Sequence, residues 1–114
     1  MALLIDIGHK GWMRDEDLAD RIRTHLPGAD IRTRTTLGDP AEVTMVAVSR
    51  LSSDVPELLP NLRLVQKLGA GVETIVAHSA LPPHIRVARL RPDAPAREIA
   101  EWFLAHILHR QRHL

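Results

Sequence analysis

Val43-Thr44-Met45-Val46-Ala47-Val48 is a nearly continuous apolar run of strand length, rich in β-branched residues and bounded by turn formers. A strand with apolar side chains on both faces is covered on both, as the inner strands of parallel sheets are. Ala2-Leu3-Leu4-Ile5-Asp6-Ile7 has the same character and ends at Gly8. Leu62-Arg63-Leu64-Val65-Gln66-Lys67-Leu68 runs into Gly69-Ala70-Gly71, and residues 85–90 supply another strand. Residues 30–35 alternate Ile31, Thr33 and Thr35 against Arg32 and Arg34, the pattern of an edge strand with one wetted face.

Helical or turn segments separate these runs. Asp15-Glu16-Asp17 opens a helix with Leu18, Ala19, Ile22 and Leu26 along one stripe, its acids favoured at the positive end, and Pro27-Gly28 stops it. Asp39-Pro40 is expected to cap a single turn. Short helices are expected from Ser52 through Leu59 and between Gly71 and Pro82-Pro83. Pro92-Asp93-Ala94-Pro95 introduces the longest helix, over residues 96–112. No hairpin signal of the Asn-Gly kind occurs, so the order favours βαβ units with right-handed crossovers. The expected fold is a flavodoxin-like three-layer α/β sandwich with a five-stranded parallel sheet, order 2-1-3-4-5. Residues 1–114 read as one domain without repeat or linker.

Composition narrows the function classes. The 114 residues are 45% hydrophobic and carry 15 Lys+Arg against 14 Asp+Glu, as in an ordinary globular chain. A formal charge of +1, with arginines spread along the chain among acids, gives no attraction to nucleic acid. No apolar run approaches the ~20 residues that span a bilayer, and a cytoplasmic location without membrane contact is expected. With no cysteine, disulfides, thiol nucleophiles and thiolate metal sites are excluded.

Gly69-Ala70-Gly71-Val72-Glu73-Thr74 is the foremost candidate site. As a dinucleotide fingerprint it fails: Thr74 replaces the third glycine, Pro82-Pro83 cut the following helix short, and the motif follows the fourth strand rather than the first. Two glycines at a strand's C-terminal end also permit positive φ and leave N–H groups uncovered, a nest for an anion such as a carboxylate. A plain tight turn is the competing reading. His106, His109 and His113 share one side of the last helix, but without a further ligand at matching spacing they read as a solvated, dipole-compensating helix end rather than a metal site. His9, His25, His78 and His84 read as surface residues. Ile99, Trp102, Phe103 and Ile107 form one stripe of that helix and Leu104 and Leu108 widen it, so the helix is expected either deep in the domain or against something outside it.

The segment from Leu62 to Glu73 resembles the L-x-x-V-x-x-L-G-A-G-V-D segment of D-isomer-specific 2-hydroxyacid dehydrogenases. Leu90-Arg91-Pro92-Asp93-Ala94-Pro95-Ala96-Arg97-Glu98-Ile99-Ala100-Glu101-Trp102 is similar to the hinge-entering helix of their glyoxylate/hydroxypyruvate reductase A branch. Gly38-Asp39-Pro40-Ala41-Glu42-Val43 and Leu58-Leu59-Pro60-Asn61-Leu62 match that branch as well. The resemblance covers nearly the whole chain and is weakest before about residue 37.

The resemblance implies the N-terminal part of a substrate-binding lid domain, with residues 96–112 leading toward a dinucleotide-binding domain outside this chain. The main-chain amides of Ala70, Gly71 and Val72 would then hold the carboxylate of a small 2-keto or 2-hydroxy acid. Ser49 and Arg50 would be substrate-side positions, standing where that branch carries a Trp-containing loop; Glu73 replaces its usual Asp. The catalytic Arg, Glu and His and the G-x-G-x-x-G loop that binds NAD or NADP would lie elsewhere, so this chain alone would hold no cofactor, no metal and no catalytic residue. A homodimer through residues 96–112 is a further expectation. The competing reading is a non-catalytic α/β module that self-associates or docks on a partner. A weaker one is a flavodoxin-like phosphate or flavin binder using Gly8-His9-Lys10-Gly11-Trp12, which lacks the Ser/Thr donors of such a loop.

Overall fold

In a computed structural model, which describes residues 1–9, 11–78 and 81–113, five parallel strands form one sheet. Lys10, inside the stretch weighed as a phosphate loop, lies outside the described residues. The strands are β1 (Ala2–Ile5), β2 (Ile31–Thr33), β3 (Val43–Val48), β4 (Leu64–Lys67) and β5 (Arg86–Ala88), in the order β2-β1-β3-β4-β5. Leu4 stands opposite Arg32 on one side and Val46 on the other, and Val46 in turn opposite Val65. Both the parallel pairing and the strand order expected from the sequence are found.

Alternate residues divide the core. Ala2, Leu4, Val46, Val48 and Val65 face one cluster, closed by Val55 of α2 (Val55–Leu58), Ile75 of α3 (Glu73–Val76), Leu59 and Leu62. Leu3, Ile5, Ile7, Ile31 and Ala47 face the other, covered by Leu18, Ala19 and Ile22 of α1 (Asp15–His25). That second layer thins toward β4: Met45, Leu64 and Gln66 remain half-buried, as does Leu68, which packs against this cluster. Pro27-Gly28 ends α1 as expected, with Gly28 at φ +87°. The Asp39 carboxylate accepts from the Ala41 amide (3.0 Å) and starts a one-turn 3-10 helix, Pro40–Glu42.

Two expectations need correction, and one pair of alternatives is decided. The edge strand ends at Thr33, because residues 34–36 turn into a 3-10 helix in which the Thr36 hydroxyl takes the Thr33 amide (2.9 Å). His78 is half-buried rather than on the surface. The last helix, α4 (Asp93–Arg112), is neither deep in the domain nor folded back on its sheet. Every described residue of it is exposed, including Trp102 at 57% and Ile107 at 55%. The helix projects from the body, which raises the radius of gyration to 17.7 Å against roughly 13 Å for a compact chain of this length. Within it Trp102 meets Phe103 edge-on and stacks on His106.

Candidate functional site

A parallel sheet offers ligands the crevice beyond the carboxyl ends of its strands, where the chain order switches direction. Here that point lies between β1 and β3. The strand ends are tied together there. Ile7 O accepts from both Ser49 N (2.9 Å) and Arg50 N (3.0 Å), and Leu68 N donates to Val48 O (2.7 Å). Gly8 makes the approach possible: at φ +71°, a Cβ on it would overlap the Arg50 carbonyl oxygen. These ties gather His9, Ser49, Arg50, Lys67 and Thr74 around a cavity of about 280 Å³. The Lys67 ammonium donates to the Ser49 carbonyl, fixing the side chain across the strand ends.

The loop after β4 forms the neighbouring rim. Leu90 N donates to Gly69 O (2.9 Å) and Arg89 Nη1 to Ala70 O (3.3 Å), so the carbonyls are tied back toward the end of β5. The amides of Ala70, Gly71 and Val72 donate to no acceptor among the described residues, and Ala70 and Gly71 are exposed. The loop thus leaves three consecutive N–H groups without an acceptor among the described residues. The expected use of positive φ is not found. Gly69 and Gly71 both lie outside the left-handed region, so the alternating nest geometry is absent. What Gly71 provides instead is room: a Cβ there would press on the Glu73 carboxylate at 2.9 Å.

Ala70, Gly71 and Val72 therefore share one loop and do not line the cavity, whereas Ser49 and Arg50 line it together with Thr74. The sequence reading overlooked Lys67 and His9. Lys67 carried a usable signal, since a lysine at the carboxyl end of an inner strand must find a partner or a ligand. A wider hollow nearby is lined by Asp6, Asp15 and Glu16 together with His9, Arg14, Trp12 and Met13. His106, His109 and His113 line a shallow surface depression with Arg110; among the described residues no three His, Asp or Glu groups converge on a metal position.

A dinucleotide does not fit these residues. The helix after Gly69-Ala70-Gly71 has only the 4 residues of α3 and Thr74 opens no glycine approach, while Asp93 begins the projecting α4. No helix is long and apolar enough to cross a membrane among the described residues.

No protein-family model matches the chain, and no curated protein matches it. Solved structures do. One is a D-isomer specific 2-hydroxyacid dehydrogenase from Xanthobacter autotrophicus Py2 in complex with NADPH and MES, 30% identical, with a TM-score of 0.74 over 96% of this chain. This chain is built like one part of a D-isomer specific 2-hydroxyacid dehydrogenase. An NADPH-dependent glyoxylate/hydroxypyruvate reductase from Sinorhizobium meliloti, in complex with NADP and sulfate, shares the fold at 19% identity, with a TM-score of 0.71 over 98% of this chain. The chain spans about a third of either protein, 35% of its length.

Proposed function

We propose that this chain is the substrate-carboxylate-binding part of an NAD(P)-dependent oxidoreductase acting on 2-keto and 2-hydroxy acids of the glyoxylate/hydroxypyruvate type. The observation that carries the reading is the row of unsatisfied amides at Ala70, Gly71 and Val72, beside the switch point of a sheet similar to those dehydrogenases. A carboxylate accepting two or three backbone N–H bonds gains charge-assisted hydrogen bonds that water provides less rigidly. Ser49 and Arg50 line the cavity at the strand ends. The nicotinamide would supply the hydride, as cofactors carry such chemistry, and it would be bound outside the residues described here. This chain positions the acid; it does not turn it over.

The half-covered sheet face at Met45, Leu64 and Leu68 supports a role for the chain packed against further polypeptide. The projecting α4 supports a second element of the reading, pairing with another copy. Its first half carries Glu98 and Glu101 with Arg97, and its second half His106, His109, Arg110 and Arg112, so that an antiparallel pair matches two acids to histidines but sets Arg97 beside Arg110. An antiparallel pair centred between Phe103 and Leu104 sets Glu98 beside His109 and Glu101 beside His106, while the Ile99, Trp102 and Ile107 stripes cover one another.

The experiment is a titration of the purified, isotopically labelled chain with glycolate, read by amide NMR, beside a coupled assay with glyoxylate and NADPH. Shifts concentrated at residues 70–72 without turnover are expected. Sustained turnover, or shifts that avoid this loop, would overturn the proposal.

A further inference from the structure

Beside the three open amides of residues 70–72 stands a carboxylate of the chain's own. The Glu73 carboxylate lies against Gly71: Oε2 is 2.9 Å, and Cδ and Oε1 are 3.8 and 3.9 Å, from where a Cβ on that glycine would stand. Glu73 is exposed, and among the described residues its carboxylate forms no ion pair. Nor is it among the side chains that accept a main-chain amide, which serve Ile7, Thr33 and Ala41. Three donors without an acceptor and an acceptor without a donor thus meet on one short segment.

The donors are held in place from their carbonyl sides. The C=O and N–H of one trans peptide point in opposite directions. Leu90 N on Gly69 O and Arg89 Nη1 on Ala70 O therefore turn the Ala70 and Gly71 amides away from the end of β5. Resting on the carboxylate-cradle reading above, we infer that Glu73 is a tethered competitor for the substrate's carboxylate and so sets the affinity of the loop. Rotation about its side-chain bonds carries its carboxylate from Gly71 onto the loop amides, where it makes the charge-assisted hydrogen bonds that the acid would make. A group tethered so closely acts at an effective concentration on the order of millimolar or above. The incoming acid must displace it, because two carboxylates on the same donors repel each other.

The test is a glycolate titration, at neutral pH and matched ionic strength, of the labelled wild-type chain and of Glu73→Gln, a change at an exposed side chain that keeps its length. Glu73→Gln is expected to bind glycolate about fivefold tighter, the effect of one like charge removed at a wetted surface. In the wild type the Glu73 carboxyl carbon signal should move in step with the amides of residues 70–72 as glycolate displaces it. Shifts at residues 70–72 in both chains with equal affinities, or with weaker binding by Glu73→Gln, overturn this inference and leave the cradle standing. A Glu73 carboxyl signal that stays put while those amides shift overturns it as well. Absence of shifts at residues 70–72 in both chains overturns the cradle itself.

Discussion

Arg34 Nη2 lies 2.7 Å from Oδ2 of Asp6, a carboxylate buried at the end of β1. The same guanidinium holds Asp54 at 2.6 and 3.0 Å, joining the end of β1 to the segment that opens α2. A buried charge that loses its partner costs far more than an exposed pair contributes. Arg34→Met is therefore expected to destabilise the chain by about 2 kcal/mol, below the full buried-pair figure because Arg34 is itself a third exposed. Urea unfolding at neutral pH measures it. Arg34 also holds the Asp54 carboxyl below the usual range, mainly by hydrogen bonding. That contribution is complete above the unfolded carboxyl value of about 3.9 and fades as pH falls through the lower folded value. The gap between wild type and variant should narrow in acid.

Asp15 is expected to behave in the opposite sense. Its Oδ1 accepts the Ile7 amide (3.0 Å), but burial pushes its carboxyl above the usual range. A raised carboxyl favours the protonated folded form, so the stability tied to it is greatest in acid and is lost as pH rises through the folded value. Asp15→Asn keeps an acceptor for Ile7 and removes the charge, and should raise the urea midpoint at neutral pH but not in acid. Asp15→Leu leaves the Ile7 N–H without its partner and should lower stability by about 1–2 kcal/mol. A midpoint that falls in the Asn variant at neutral pH would count against this account.

The fold was legible because apolar runs such as residues 43–48 and 2–7 carry their meaning locally. A strand that must be covered on both faces, alternating with short helices, leaves few arrangements, and the order β2-β1-β3-β4-β5 is one of them. The position of α4 was not legible. A wide apolar face says that it will be covered but not by what, and here nothing in the described chain covers it. The site was half legible. Residues 69–72 announce a turn by composition, whereas the juxtaposition of Lys67 with His9, Ser49 and Arg50 depends on the register between β1, β3 and β4. The φ of Gly69 and Gly71 escaped too, since a glycine used for space looks in sequence like one used for handedness.

Gly8 and Gly71 make that distinction testable. Gly8 has φ +71° and its missing Cβ faces a backbone carbonyl, so Gly8→Ala combines strain with a collision that no rotamer relieves. A loss of about 3 kcal/mol is expected, with broadened amide signals at Ser49 and Arg50. At Gly71 the obstacle is the end of the flexible Glu73 side chain, and φ is ordinary. Gly71→Ala should therefore leave stability within about 0.5 kcal/mol, as surface changes do. Equal losses at both glycines would contradict the geometry.

The exposed face of α4 separates association from folding. Trp102 and Ile107 touch no core residue of the body, so replacing them removes no buried surface from the monomer. Trp102→Glu and Ile107→Asp are expected to change the stability of the monomer by no more than about 0.5 kcal/mol. If two copies pair through this helix, the same variants abolish a dimer that sedimentation velocity detects in the wild type. The antiparallel arrangement adds a sharper test, because Glu101 meets His106 of the other copy only in that register. Glu101→Lys should weaken the dimer, and adding His106→Glu should restore it, whereas a parallel pair places Glu101 beside Glu101 and would be strengthened by neither step. A wild-type chain that stays monomeric at millimolar concentration removes the pairing altogether.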